Sequence, residues 1–311
     1  ERAIEIDPRL ANIEQLDQLK TLGFDRLSLG IQDFNPDVQE AINRHQSYEL
    51  IEELTLHARK IGFDSINFDL IYGLPKQTIA GFQETARLVN ILKPDRIALY
   101  SFAHLPDKIK HMKLIKEKDL PEGELKLTLY QEAKRILLSN DYKAIALDHF
   151  SLESDDLYKA LQENKLNRTF MGYTSSQESH YLGLGVSSIS YINGCFWQND
   201  ALLSNYSKAI QEQNLAIKIA KELSNDDLIR QDLVTKIMCN HSLDKKAFEE
   251  KHQINFAQYF AEEIERLEEF VEDGLLTNTP ENLQVLEQGE AFLRLIVASF
   301  DPYYQSKKDS G

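Results

Sequence analysis

The sequence predicts an α/β fold: an incomplete barrel of parallel strands joined by helices, followed by a mostly helical, winged-helix-like C-terminal domain. Three observations carry this. Leu22 to Leu29, LGFDRLSL, recurs as IGFDSINF at Ile61 to Phe68, each copy closing a helix and opening a strand. The strands alternate apolar and polar residues, which suits a barrel with unlike inner and outer faces better than a doubly wound sheet buried on both sides. Beyond Glu222 the apolar residues change to helical spacing.

The opening strand sets Ile4 and Ile6 against Ala3, Glu5 and Asp7, and the helical triplet Ile13, Leu16, Leu19 follows, ending at Gly23. In Arg26 to Gln32 the set Leu27, Leu29, Ile31 opposes Ser28, Gly30, Gln32. Asn35-Pro36-Asp37 and Ser47 start helices, and Gly62 stops the second. The next strand, NFDLIYG, turns Asn67 and Asp69 away from Ile66, Phe68, Leu70 and Tyr72. A helix opened by Thr78 runs through Phe82, Val89 and Leu92 to the turn Lys93-Pro94-Asp95 and a strand from Arg96 to Phe102. Glu5, Gln32 and Asp69 are thereby expected to share one enclosed polar face, since a carboxylate left alone in an apolar interior is costly. A full eight-strand barrel takes roughly 250 residues, whereas the pattern changes near Pro106, so the barrel is partial. Domain limits follow as residues 1–106, 107–220 and 221–311.

From Asp107 to Lys118 the composition turns basic, with Lys108, Lys110, His111, Lys113, Lys116 and Lys118, as a solvated helix face would. A single strand is expected over Lys143 to Phe150, then a glycine-rich stretch from Met171 to Ser190 that carries no phosphate-loop or dinucleotide fingerprint. Later stripes run through Leu228, Leu233, Val234, Ile237 and Met238, through Phe256 to Val271, and along a helix from Gln288 to Phe300, with Ser224 and Asp227 as a cap.

With 311 residues, 42% apolar content and no run able to cross a bilayer, the chain is expected to be globular, cytoplasmic and monomeric. A formal charge of −15 argues against nucleic acid as partner, as do the many glutamates between Glu249 and Glu272. Cys195 and Cys239 are expected as two reduced structural thiols. The chain opens directly in a strand-like alternation, as one entered partway through a domain would.

Zinc-protease, structural-zinc and nucleophile-elbow motifs are absent from the sequence, and no metal ligand set is expected. Glu5 and Asp69 leave open an acid/base pair. Beside it stand the stretches IEIDPR, RLSLGIQDFNPDVQEAINR, NFDLIYGLPKQT, PDRIALYSFAHLP, LDHF, MGYTSS and LGLGVSSIS. Together they resemble the oxygen-independent coproporphyrinogen III oxidase family of radical S-adenosylmethionine enzymes over nearly the whole chain. The resemblance implies a partial (β/α)6 barrel, a [4Fe–4S] cluster and a 5′-deoxyadenosyl radical that takes hydrogen from two propionates of coproporphyrinogen III. Decarboxylation then gives the vinyls of protoporphyrinogen IX, with electrons from a donor protein. It also implies S-adenosylmethionine contacts at Glu5, Gln32, Arg44, Asp69, Ala103 and Ile189.

Two departures from the family pattern stand out. The cluster-binding Cys-x-x-x-Cys-x-x-Cys is not in these 311 residues, so the chain as given is expected to be an N-terminally truncated piece unable to hold the cluster or generate the radical, inactive alone while the full-length parent performs the reaction. Met171 stands where the family has a Gln implicated in handling a second S-adenosylmethionine, and a thioether lacks the amide's donors. The alternative is a related haem chaperone, a haem-binding and transfer protein. Gln32-Asp33-Phe34 and Gly73-Leu74-Pro75-Lys76 favour the oxidase, because the chaperones usually carry Gln-Ser-Phe and Gly-Leu-Pro-Gly there.

Overall fold

The computed structural model describes residues 2–170, 172–176 and 180–304, so the expectation at Met171 lies outside the described residues. The chain divides into two compact units, residues 1–159 and 160–311.

The first unit is a six-stranded sheet with helices on one face. In chain order its elements are β1 (Ala3–Ile6), α1 (Ile13–Thr21), β2 (Arg26–Gln32), α2 (Pro36–Ala41), α3 (Tyr48–Lys60), β3 (Ser65–Tyr72), α4 (Ile79–Leu92), β4 (Arg96–Ser101), α5 (Gly123–Leu138), β5 (Tyr142–Ala146) and β6 (His149–Leu152). Strand order is β1-β2-β3-β4-β6-β5. The first four strands are parallel. Sequence-local rules explain the helix limits: Asn12, Asn35, Ser47 and Thr78 accept backbone N–H bonds at their helix starts. Gly23 and Gly62 both take φ +88 just past the helix ends.

The alternation places Leu27, Leu29, Ile66, Phe68, Leu70, Ile97 and Leu99 in the core. There they pack against Leu16, Ile51, Leu54, Phe82, Val89, Leu129 and Leu137 from the helices. Each fully buried aliphatic or aromatic side chain stabilises by about 1.5–3 kcal/mol, which fixes the strands with their polar face turned away from the helices.

The single strand expected over Lys143 to Phe150 is corrected to two. Leu147, at φ +51, starts a two-residue reversal, and Ala146 pairs with His149 across an antiparallel hairpin. β6 runs antiparallel to β4.

Helix α6 (Asp156–Gln162) spans the division between units. The second unit contains the ribbon β7 (Asn167–Thr169) and β8 (Gly172–Thr174), then β9 (Ile189–Ile192), β10 (Cys195–Asn199), α7 (Leu203–Gln211) and β11 (Ile217–Glu222). Its last third has α8 (Asn225–Asn240), β12 (Ser242–Asp244), α9 (Lys245–His252), α10 (Phe256–Tyr259), α11 (Ala261–Glu272), β13 (Leu276–Asn278), β14 (Asn282–Val285) and α12 (Leu293–Ala298). The small sheet β12-β14-β13 beside α8, α9 and α11 has the order of a winged helix. Ser224 and Asp227 form a reciprocal cap on α8. Two corrections apply: the Phe256–Val271 stripe is broken at Phe260 into α10 and α11, and Gln288 to Phe300 is a tight 3-10 turn followed by the short α12.

Candidate functional site

The polar face of the first sheet is built from rows that cross the strands. One row is Glu5, Ser28, Asn67, Arg96 and Ser151; the next is Gly30, Asp69, Ala98 and His149. Residues in register share a face, so the site follows from pairing alone.

Asp69 sits mid-face, only 9% exposed. Asn67 Nδ2 donates to Asp69 Oδ1 at 2.9 Å and to Ser28 Oγ at 2.9 Å, and the Ser28 hydroxyl donates to Asp69 Oδ2 at 3.3 Å. Burial raises its carboxyl pKa to about 6, with the Glu5 charge adding to the rise and the Asn67, His149 and Ser28 interactions opposing it.

Arg44, from the loop after α2, reaches back over β2. Its Nη2 donates to the Gly30 carbonyl at 3.0 Å and its Nη1 to Asp7 Oδ2 at 3.4 Å. Asp7 is also held by Arg9 at 2.7 Å. Burial lowers the Arg44 pKa, while the Asp7, Glu5 and Asp69 charges act the other way. Gly30 permits this arrangement: a Cβ there would lie 2.8 Å from Gln32 Nε2 and 2.9 Å from Arg44 Nη2. Gln32 ends β2 at φ +64 after a register shift, with its amide folded back beside the guanidinium.

Glu5, Gln32, Arg44 and Asp69 therefore converge around Gly30. One expectation is corrected: Glu5 is exposed, not enclosed, because β1 is the edge strand of the described sheet. Ala103 lies just beyond β4 and is exposed; the preceding Phe102 pairs its N–H with the Tyr72 carbonyl at 2.8 Å. Ile189 begins β9 in the second unit and is half-buried.

Sequence reasoning missed two parts of this site. His149, within the single strand expected over Lys143 to Phe150, is on the polar face in the row of Asp69, its Nδ1 2.7 Å from Asp148 Oδ1. The hidden hairpin reversal concealed its facing. The second is a buried network behind the rim. Asp33 accepts from Thr85 Oγ1 at 2.6 Å, Gln77 Nε2 at 2.7 Å and the Asn35 N–H at 2.8 Å. Gln77 Oε1 in turn accepts from the N–H groups of Gly73 at 2.6 Å and Leu74 at 2.9 Å. A lone Asp after a strand and a Gln after Gly-Leu-Pro were the only signals.

The residues present fit S-adenosylmethionine. Arg44 offers a guanidinium for a carboxylate, and its buried Nε has no hydrogen-bond partner among the described residues. Asp69, Glu5 and Gln32 offer acceptors for ribose hydroxyls and an amino group. A [4Fe–4S] cluster does not fit them. Cys195 and Cys239 are free thiols on different elements, and burial pushes the Cys239 thiol up to about 12, away from the thiolate a cluster requires. Among the described residues no group of three or more His, Cys, Asp or Glu side chains could hold a metal ion, and no helix is long and apolar enough to cross a membrane.

Comparison with known proteins matches residues 2–89 to the Radical SAM superfamily and residues 223–292 to the HemN C-terminal domain. The oxygen-independent coproporphyrinogen III oxidase of Escherichia coli K12 is 41% identical over 307 residues, which is 99% of this chain and 67% of that protein. The protein of that name from Thermostichus vulcanus is 37% identical over 308 residues, covering 95% of its length. The solved structure of the Escherichia coli coproporphyrinogen III oxidase, described as a radical SAM enzyme, superposes with a TM-score of 0.92 at 42% identity. It covers 97% of this chain and 69% of that one.

Proposed function

Because this chain belongs to the oxygen-independent coproporphyrinogen III oxidase family, we propose that its polar sheet face binds S-adenosylmethionine for the oxidative decarboxylation of coproporphyrinogen III. The two propionates concerned become the vinyls of protoporphyrinogen IX. The observation that supports this most is the convergence of Gln32 and Arg44 over Gly30 beside the buried Asp69.

Bound here, S-adenosylmethionine would supply the acceptor for hydrogen taken from the propionate side chains, whereas the described residues hold no [4Fe–4S] cluster to cleave it. This chain's own residues bind and orient. Arg44 holds the methionyl carboxylate, and Asp7, with Arg9 behind it, holds Arg44. Asp69, fixed by Asn67 and Ser28, accepts from the ribose. Glu5 takes the amino group, Gln32 a ribose hydroxyl, and exposed Ala103 leaves room for adenine. Ile189 is assigned an apolar cofactor contact from the family pattern. The division by role into residues 1–106, 107–220 and 221–311 belongs to the same proposal, as do a cytoplasmic location, a single-chain form and an electron-donor protein.

Asp69→Ala is expected to weaken S-adenosylmethionine binding about ten- to hundredfold, the equivalent of one or two charge-assisted hydrogen bonds. Equilibrium dialysis that finds equal affinity for both proteins would remove Asp69 from the site.

The acid–base state of Asp69 gives a second test. With its carboxyl at about 6, the accepting, ionised form is lost as pH falls through that value. Affinity should therefore drop about tenfold from pH 7 to pH 5, and Asp69→Asn should flatten the profile. A wild-type profile already flat over that range would contradict the assignment.

A further inference from the structure

Off the end of β4, next to Ala103, the chain enters a span that takes no part in the proposed cofactor contacts. Residues 107–118 carry five lysines against Asp107 and Glu117, in a protein whose formal charge is −15. The span is ordered by successive turns, including the short 3-10 segments Lys110–Leu114 and Glu117–Asp119. His104 Nε2 lies 3.1 Å from the Met112 carbonyl, and the Lys76 N–H donates to the Asp119 carbonyl at 2.7 Å, tying down the middle of the span and the residue that follows it. Ile109, Met112 and Ile115 turn partly inward, while Lys108, Lys110, Lys113, Lys116 and Lys118 are all exposed.

Elsewhere in this unit surface cations commonly meet a carboxylate, as in Arg9–Asp7, Arg87–Glu84, Lys93–Asp141, Arg135–Glu132 and Lys143–Glu153. Among the described residues, none of the five lysines of the span is in an ion pair. Lys126, at the start of α5, adds a further cation at the same rim: its Nζ donates to the Phe102 carbonyl at 2.6 Å. Like charges held close without compensation raise the energy of the free protein and attract a multivalent anion.

We propose that the lysine span 108–118 is an electrostatic collector for a polycarboxylate tetrapyrrole, drawing its propionates to the rim of the polar face. This rests on the coproporphyrinogen reading, since that substrate carries four carboxylates. The remainder of the negatively charged surface would repel such an anion, so the span sets both the capture rate and the side of approach.

The test is stopped-flow association of coproporphyrin III with the full 311-residue chain, at low salt and at about 1 M salt, where the screening length is about 3 Å. The variant K108Q/K110Q/K113Q/K116Q/K118Q is expected to associate about tenfold more slowly at low salt and at the wild-type rate at high salt. Arginine at the five positions should keep the wild-type behaviour. The tetramethyl ester of coproporphyrin III should bind the wild type without salt dependence, a readout that needs no variant to fold. A wild-type chain that ignores coproporphyrin III at every salt concentration would sink the coproporphyrinogen reading itself. Normal capture by wild type with an unaltered rate in the glutamine variant would overturn the collector alone, and loss of binding to an acidic electron-transfer protein in that variant would assign the span to a protein partner.

Discussion

Asp155→Ala is expected to destabilise the first unit by about 3–5 kcal/mol, the cost of leaving a buried guanidinium without its carboxylate. Arg96 Nε donates to both Asp155 oxygens at 2.8 Å, with the two side chains 4% and 3% exposed. Ser65 Oγ and the Leu157 N–H donate to the same carboxylate at 3.1 and 2.8 Å. Arg96 opens β4 and Ser65 opens β3, so the pair closes the polar face at the amino-terminal ends of these strands, one row below Asp69. Urea unfolding followed by circular dichroism reads the loss. The double replacement Arg96→Met with Asp155→Leu should recover much of it, because apolar groups of similar volume can replace a buried ion pair. A single-variant loss below about 1 kcal/mol, the usual size for an exposed pair, would contradict the burial.

Asp33→Ala is expected to lower stability by about 2–4 kcal/mol, from several buried donors that lose an acceptor together. Thr85, Gln77 and the Asn35 N–H all point at this 1%-exposed carboxylate. The effect should extend to function. Gln77 sets the Gly73-Leu74 backbone, and Asp33 follows Gln32 directly in the chain. Asp33→Asn preserves shape but brings a second NH2 group against that of Gln77, so S-adenosylmethionine affinity should fall even where the melting temperature moves little. Unchanged affinity and stability in both variants would reduce the network to a bystander.

The strand faces were legible because period-two patterning is local: Leu27, Leu29, Phe68 and Leu70 announce a core whatever surrounds them. Caps at Asn35, Ser47, Thr78 and Ser224 were equally plain, since each needs only the next few residues. The Leu147 reversal was not, because a left-handed leucine carries no glycine or asparagine to mark it. Its loss hid His149. The Asp33–Gln77 link spans 44 residues, a distance at which no spacing rule operates. Glu5 followed its strand correctly in facing, but exposure depends on neighbouring strands and not on the strand's own pattern.

The hairpin of β5 and β6 has one more effect. A strand parallel to its neighbour finishes at the open end of a barrel and needs a helix to travel back. Here four descending residues, His149 to Leu152, make the return alone. The turn leaves Asp148 and His149 at the mouth, and three residues past the strand's far end the chain supplies Asp155 to lock the base. One excursion of the backbone thus furnishes both the working end and the sealed end, so lengthening or shortening this hairpin by one residue should disturb ligand geometry and folding at once.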